Sequence, residues 1–249
     1  MQRINTKQFT GTSYICFYRN SHFIDFNANS YDALRLAIKK LDLEGAIGDY
    51  DQYFSIYLQV NDRLWDLYRE NKITKNVLKG LRFEESLELN QTPMPGMGDT
   101  LNDAYLHEMP KQMKLVPGAI RVLDHLHHQY KMSIITNGFR EVQVDKLIQS
   151  GLKKYFDKVF ISEEIGAQKP HRKIFEHAVK SMNAPKKRSL MIGDSWEADI
   201  LGARMFGMDQ VYYCPKEEKF PVAPEIPPAV SSRTTTITIT HLEQLLDLL

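Results

Sequence analysis

Met191-Ile-Gly-Asp-Ser-Trp-Glu-Ala-Asp-Ile200 is a short apolar run that stops at Gly193-Asp194 and restarts as a helical pattern carrying a second carboxylate, Asp199. A buried strand feeding straight into a helix is the building unit of parallel sheets covered by helices on both faces. Such sheets bind ligands outside the carboxyl ends of their strands. Asp194 falls at that end, and Asp199 falls in the first turns of the helix that follows. Two acids at a helix start are also what the helix dipole favours, so this stretch alone leaves a purely structural role open.

The same texture extends in both directions. Met132–Ile135, Val159–Ile161, Gln210–Tyr213 and Thr235–Ile239 read as further strands, and 142–149, 171–182 and 197–206 as intervening helices. Leu242–Leu249 closes the chain as an amphipathic helix, and the proline-rich stretch 218–232 reads as a surface loop. Upstream the pattern differs. Tyr53, Ile56, Tyr57, Val60, Leu64, Leu67 and Tyr68 recur at three- and four-residue spacing, as on one face of a helix. Thr74 is placed to cap a second helix through Val77, Leu78, Leu81 and Leu87, and a third starts near Asp99. The fold class is therefore α/β, a doubly wound parallel sheet formed by residues 1–26 and 111–249, with an α-helical insert at 27–110.

Two more strand ends carry chemistry. At Thr136-Asn137-Gly138, a hydroxyl and the amides of a tight turn can hold a phosphoryl oxygen, although Thr-Asn-Gly is also an ordinary turn. Lys169, before Pro170, can project an ammonium into the same crevice, although a loop lysine is commonly just solvated. Asp194 suits Mg²⁺, which takes few carboxylates and keeps waters and substrate phosphate, and Asp199 can orient waters or Lys169.

Composition excludes several classes. The 249 residues carry 32 Lys and Arg against 31 acids, a net charge of +1, which provides no field for nucleic acid or an anionic membrane. No run approaches the ~18 apolar residues of a membrane span. Two distant cysteines, Cys16 and Cys214, argue against a disulfide framework or zinc module. The N-terminal residues lack a signal-peptide pattern, so a reducing, cytoplasmic setting is expected. His125, His127 and His128 face different ways on a helix, Lys186-Lys-Arg188 reads as a solvated basic run, and the Tyr53/Tyr57/Tyr68 stripe with Trp65 reads as core.

From Asp25 onward the chain resembles the haloacid dehalogenase (HAD) superfamily. The resemblance rests on Ile135-Thr-Asn-Gly-Phe139, on Lys169-Pro170 and on Met191-Ile-Gly-Asp-Ser-Trp-Glu-Ala-Asp199, which are similar to the pyrimidine 5′-nucleotidase branch. Asp25-Phe26 resembles the entry to that family's helical cap, and Leu115-Val-Pro-Gly118 its return. The resemblance implies Mg²⁺-dependent hydrolysis of nucleoside 5′-monophosphates through an aspartyl-phosphate. Thr136 and Asn137 would bind the phosphoryl group, Lys169 would stabilise charge, and Asp194 with Asp199 would serve the metal. It also implies an Asp-x-Asp-x-Thr motif at the end of the first strand. Counting back from Asp25, Tyr18 stands at the nucleophile position, Asn20 at the acid/base position and His22 at the threonine position. Losing a nucleophile costs on the order of 10⁶-fold in kcat, so the chain as written is expected to be nearly inert. A shifted register with Asp25 as nucleophile and Asn27 as its partner still lacks a proton donor. The abrupt edge at Asp25 suggests a reading-frame break upstream, with a catalytically inactive phosphate- or nucleotide-binding protein as the alternative.

Overall fold

The computed structural model describes residues 12–18, 23–215 and 234–249. The chain divides into two compact units, Met1–Asp25 with Leu115–Leu249, and Phe26–Lys114. In the first unit six strands form one sheet: β1 (Tyr14–Tyr18), β2 (Lys131–Thr136), β3 (Lys158–Ile161), β4 (Ser189–Gly193), β5 (Asp209–Tyr213) and β6 (Thr236–Ile239). All neighbours are parallel, in the order β3-β2-β1-β4-β5-β6. The order reverses at β1, so the switch point lies beside its carboxyl end, flanked by β2 and β4.

Strand β1 shows why the sheet is buried on both faces. Side chains alternate along a strand. Ile15 and Phe17 pack on one side with Leu123, Met132, Ile134 and Ile192, whereas Tyr14 and Cys16 pack on the other with Ile135, Phe175, Met191 and Ala203. Both cysteines are buried and free. The chain leaves and re-enters this unit along adjacent paths: Ile24 bridges Leu115 antiparallel, and the Val116 amide donates to the Phe23 carbonyl at 2.9 Å.

The second unit is all helical among the described residues: α1 (Phe26–Lys40), α2 (Glu44–Ile47), α3 (Tyr50–Arg69), α4 (Lys75–Leu89) and α5 (Met97–Glu108). Thr74 caps α4 as expected, accepting from the Val77 amide at 3.4 Å, and Tyr53, Tyr57 and Trp65 are core. Sequence reading did not foresee Arg82, which is buried among them. It donates to the Asn61 and Asn102 side-chain oxygens at 3.3 and 2.9 Å and stacks on Phe83 and Tyr105. Sheet helices complete the fold: α6 (Ala119–His127), α7 (Arg140–Gln149), α8 (Ser162–Ile165), α9 (Arg172–Ser181), α10 (Gly202–Phe206) and α11 (Leu245–Leu248). Two expected helices differ. The turn Trp196–Leu201 before α10 is a π turn, because Ser195 O accepts from both the Asp199 and Ile200 amides, at 3.0 and 3.3 Å. The last helix is split into a 3₁₀ turn, Leu242–Gln244, and α11, with Gln244 Oε1 accepting from the Thr240 and His241 amides. The proline-rich stretch 218–232 lies outside the described residues.

Helices α4 and α5 meet at Gly98, where a Cβ would stand 2.5 Å from the Gly80 carbonyl oxygen and 2.7 Å from Glu84 Oε2. Glu84 also accepts from the Gly96 and Gly98 amides at 2.8 Å each, capping α5. Backbone cannot yield as a flexible side chain can. Gly98→Ala is therefore expected to destabilise the protein by about 1–3 kcal/mol, measured as a lower midpoint in guanidinium unfolding; an unchanged midpoint would contradict this close approach.

Candidate active site

The site is assembled from the turns that follow β2 and β4 and from the loop between α8 and α9; the expected strand-end position of Lys169 is displaced by α8, which intervenes after β3. Strand β2 ends at Thr136, which is fully buried; its Oγ1 accepts from the Gly138 amide at 2.9 Å and so tightens the turn. Asn137, also buried, directs its side-chain amide at the main chain of Lys169: Nδ2 donates to Lys169 O at 3.0 Å and Oδ1 accepts from Lys169 N at 2.9 Å. Lys169 lies in the loop between α8 and α9 and has no solvent exposure. Its Nζ donates to the Ile135 carbonyl at 2.6 Å and stands 3.3 Å from Asp199 Oδ1.

Strand β4 ends at Gly193, and Asp194 beyond it is half-buried. Asp199 is fully buried, and its Oδ2 accepts from the Ser195 amide at 3.0 Å. Oδ1 has the distance of an ion pair with Lys169 but accepts no aligned hydrogen bond among the described residues. Glycine is required at 193, since a Cβ there would come within 2.7 Å of Asp199 Oδ2. Burial pushes the Asp199 carboxyl up to about 7; the attraction of Lys169 opposes the rise and the nearby Asp194 charge adds to it.

At the switch point, β1 ends at Tyr18, whose backbone pairs with Ile135, one residue before Thr136. Phe17 pairs with Ile192, two residues before Asp194. The strand-end position between the two turns is thus occupied by Tyr18, while Asn20 and His22 lie outside the described residues. Asp25 comes seven residues after the strand, beside the Ile24–Leu115 bridge, so the shifted register does not put a carboxylate at a strand end. Lys169, Thr136, Asp194 and Asp199, chosen from sequence, converge on adjacent turns. The Ile135 carbonyl and the Ser195 amide were not anticipated, because main-chain groups leave no residue-type signal. Among the described residues no three His, Cys, Asp or Glu side chains gather as a metal cluster, His125, His127 and His128 included. No described helix is long and apolar enough to cross a membrane.

A parallel sheet reversing at β1, with a buried lysine–carboxylate pair and two strand-end turns at the reversal, is a doubly wound α/β core with its ligand crevice at the strand ends. More narrowly, the chain belongs to the haloacid dehalogenase-like hydrolases, whose family model matches residues 51–212. It is 34% identical over 211 residues to the pyrimidine 5′-nucleotidase YjjG of Escherichia coli, covering 84% of this chain and 89% of that protein. It is 32% identical over 204 residues to the pyrimidine 5′-nucleotidase PynA of Streptococcus pneumoniae, covering 81% and 84%. The magnesium-bound structure of the HAD-hydrolase YfnB of Bacillus subtilis superposes with a TM-score of 0.80 at 26% identity, over 94% of this chain and 96% of that one.

The elevated Asp199 value has a consequence for stability. A carboxyl that holds its proton to about pH 7 when folded, against 3.8 ordinarily, stabilises the fold fully below about pH 4. That contribution is lost as pH rises toward 7, because the unfolded chain ionises first. In metal-free buffer, the stability of the wild type minus that of Asp199→Asn is expected to fall between about pH 4 and about pH 7 and then level off. Urea unfolding across that range reads the difference, and parallel curves would contradict it.

Proposed function

We propose that this chain binds pyrimidine nucleoside 5′-monophosphates at the β2–β1–β4 strand ends and does not turn them over. The observation that carries the reading is the contrast between adjacent strand ends. Thr136, Lys169, Asp194 and Asp199 gather on the turns after β2 and β4 and before α9, while β1 between them ends on Tyr18. The substrate class follows the two nucleotidase relatives, each over more than four-fifths of this chain.

In this reading the Thr136-Asn137-Gly138 turn and Lys169 hold the phosphoryl group, the lysine supplying a compact cation out of water. Asp199 orients Lys169. Magnesium fits the donor set only with help from the ligand: Asp194 is half-exposed at the strand end, and Mg²⁺ accepts one or two carboxylates completed by waters and substrate phosphate. Bound there, the ion would neutralise phosphoryl charge. Hydrolysis fails for want of a nucleophile. Counting back from Asp25, Tyr18 falls at the position of the attacking carboxylate and Asn20 at that of the proton donor. Asparagine has no proton to give at neutral pH. A dehalogenase or mutase on this fold would need the same missing carboxylate. Drift or a frame break upstream of Asp25 would leave the chain in the same condition.

Phosphate release from UMP, dUMP and an aryl phosphate in Mg²⁺ tests the reading, with UMP binding followed by calorimetry. The chain as it stands is expected to bind UMP and release no phosphate. Tyr18→Asp/Asn20→Asp is expected to gain at least about 10³-fold in release over it, and Asp194→Ala in that background to lose the gain. Turnover by the unaltered chain that Asp194→Ala abolishes would overturn the reading and direct attention to Asp25. No binding by the unaltered chain, with no activity in the double variant, would also overturn it.

A further inference from the structure

A buried ammonium must be held at both ends of its side chain. The head of Lys169 is held by the Ile135 carbonyl and by Asp199. Its base is in the loop between α8 and α9, outside any strand ladder. The tie from that base to the sheet is Asn137. A primary amide carries one carbonyl and N–H donors, as a peptide group does. Asn137 uses both on a single residue, at 2.9 and 3.0 Å, reproducing the two-bond exchange by which residues in neighbouring strands pair. With 1% exposure, Asn137 gives one N–H and one carbonyl lone pair of this amide to Lys169.

The same device occurs where no chemistry is expected. Asn29 Nδ2 donates to Lys114 O and Asn29 Oδ1 accepts from Lys114 N, both at 2.9 Å, fixing the end of the helical unit. The geometry therefore identifies a recurrent main-chain clamp. At Asn137 it ties two motifs 32 residues apart.

We propose that the Asn137 side chain positions Lys169: it fixes the lysine backbone to the β2 turn so that the ammonium stands at the phosphate position, and that side chain does not itself contact the ligand. This rests on the reading of Lys169 as the phosphate's counter-charge, and it replaces a direct substrate-binding role for the Asn137 side chain, leaving the main-chain amides of the turn to the phosphate.

A double-mutant cycle with inorganic phosphate as probe, in Mg²⁺ and read by calorimetry, tests it. Asn137→Ala and Lys169→Met are each expected to weaken binding at least about tenfold, and the double variant to bind no more weakly than Lys169→Met alone. Additive losses would mean that Asn137 contacts phosphate independently, and unchanged binding in Asn137→Ala would mean that the clamp is dispensable; either overturns the proposal. A second reading needs no ligand. In lysine-labelled protein the Lys169 ammonium gives a proton–nitrogen signal, assigned by its loss in Lys169→Met. Asn137→Ala is expected to shift that signal and speed its exchange with water at least about tenfold, while Asn29→Ala, which removes the other clamp, leaves it in place. A signal that does not move overturns the proposal. If the wild type binds no phosphate, the functional reading fails and the ammonium signal alone decides the clamp. Should the alanine variant not fold, Asn137→Asp keeps the side-chain size and the acceptor for Lys169 N–H, drops the donor to Lys169 O, and is judged by the same signal.

Discussion

A lysine ammonium with no exposure to water is costly unless its donors are met and its charge is balanced. Lys169 meets that constraint with groups from three parts of the chain: the Ile135 carbonyl of β2, the Asp199 carboxylate beyond β4, and the Asn137 amide on its own main chain. Each part must be in register for the others to serve. Strand β1 sets that register, since it pairs with β2 on one side and β4 on the other and so brings the two turns together. Gly193 is small for the same reason: a side chain there would displace Asp199 from Lys169.

The charge balance follows from this arrangement. Burial pushes the Asp199 carboxyl up, while the Lys169 ammonium 3.3 Å away draws it back toward the charged form. Asp194 contributes one carboxylate at the half-exposed edge. In the proposed reading a phosphate dianion enters this crevice, so each carboxylate at a strand end raises the demand for a bound cation to offset it, and each neutral side chain lowers that demand.

Much of the fold was legible because each strand is a short apolar run closed by a turn. Met132–Ile135 proved to be Lys131–Thr136, and the apolar run that stops at Gly193-Asp194 proved to be Ser189–Gly193. Both gained polar or glycine residues at their ends that periodicity cannot claim. The π turn Trp196–Leu201 was read as ordinary helix, because one extra residue per turn leaves the apolar spacing of so short a segment almost unchanged. In the site, the partnership of Lys169 and Asp199 was among the contacts the motif suggested, and they stand 3.3 Å apart. The destination of the Asn137 amide was not legible. An asparagine in a Thr-Asn-Gly turn looks the same in sequence whether it faces a ligand or a backbone, and only the path of the loop bearing Lys169 decides.

The central strand is held by packing that owes nothing to chemistry at its carboxyl end. The part of β1 that carries stability is Ile15, Cys16 and Phe17, fully buried and paired on both sides, and Phe23 and Ile24 are buried in the same unit. Tyr18 is the strand's last residue, and Asn20 and His22 lie outside the described residues. Grouping carboxylates at such an end costs stability through like-charge repulsion and desolvation, and natural active sites carry that cost for function. A sheet of this kind holds its architecture through the buried, doubly paired residues of its central strand, separately from the chemistry at the strand end.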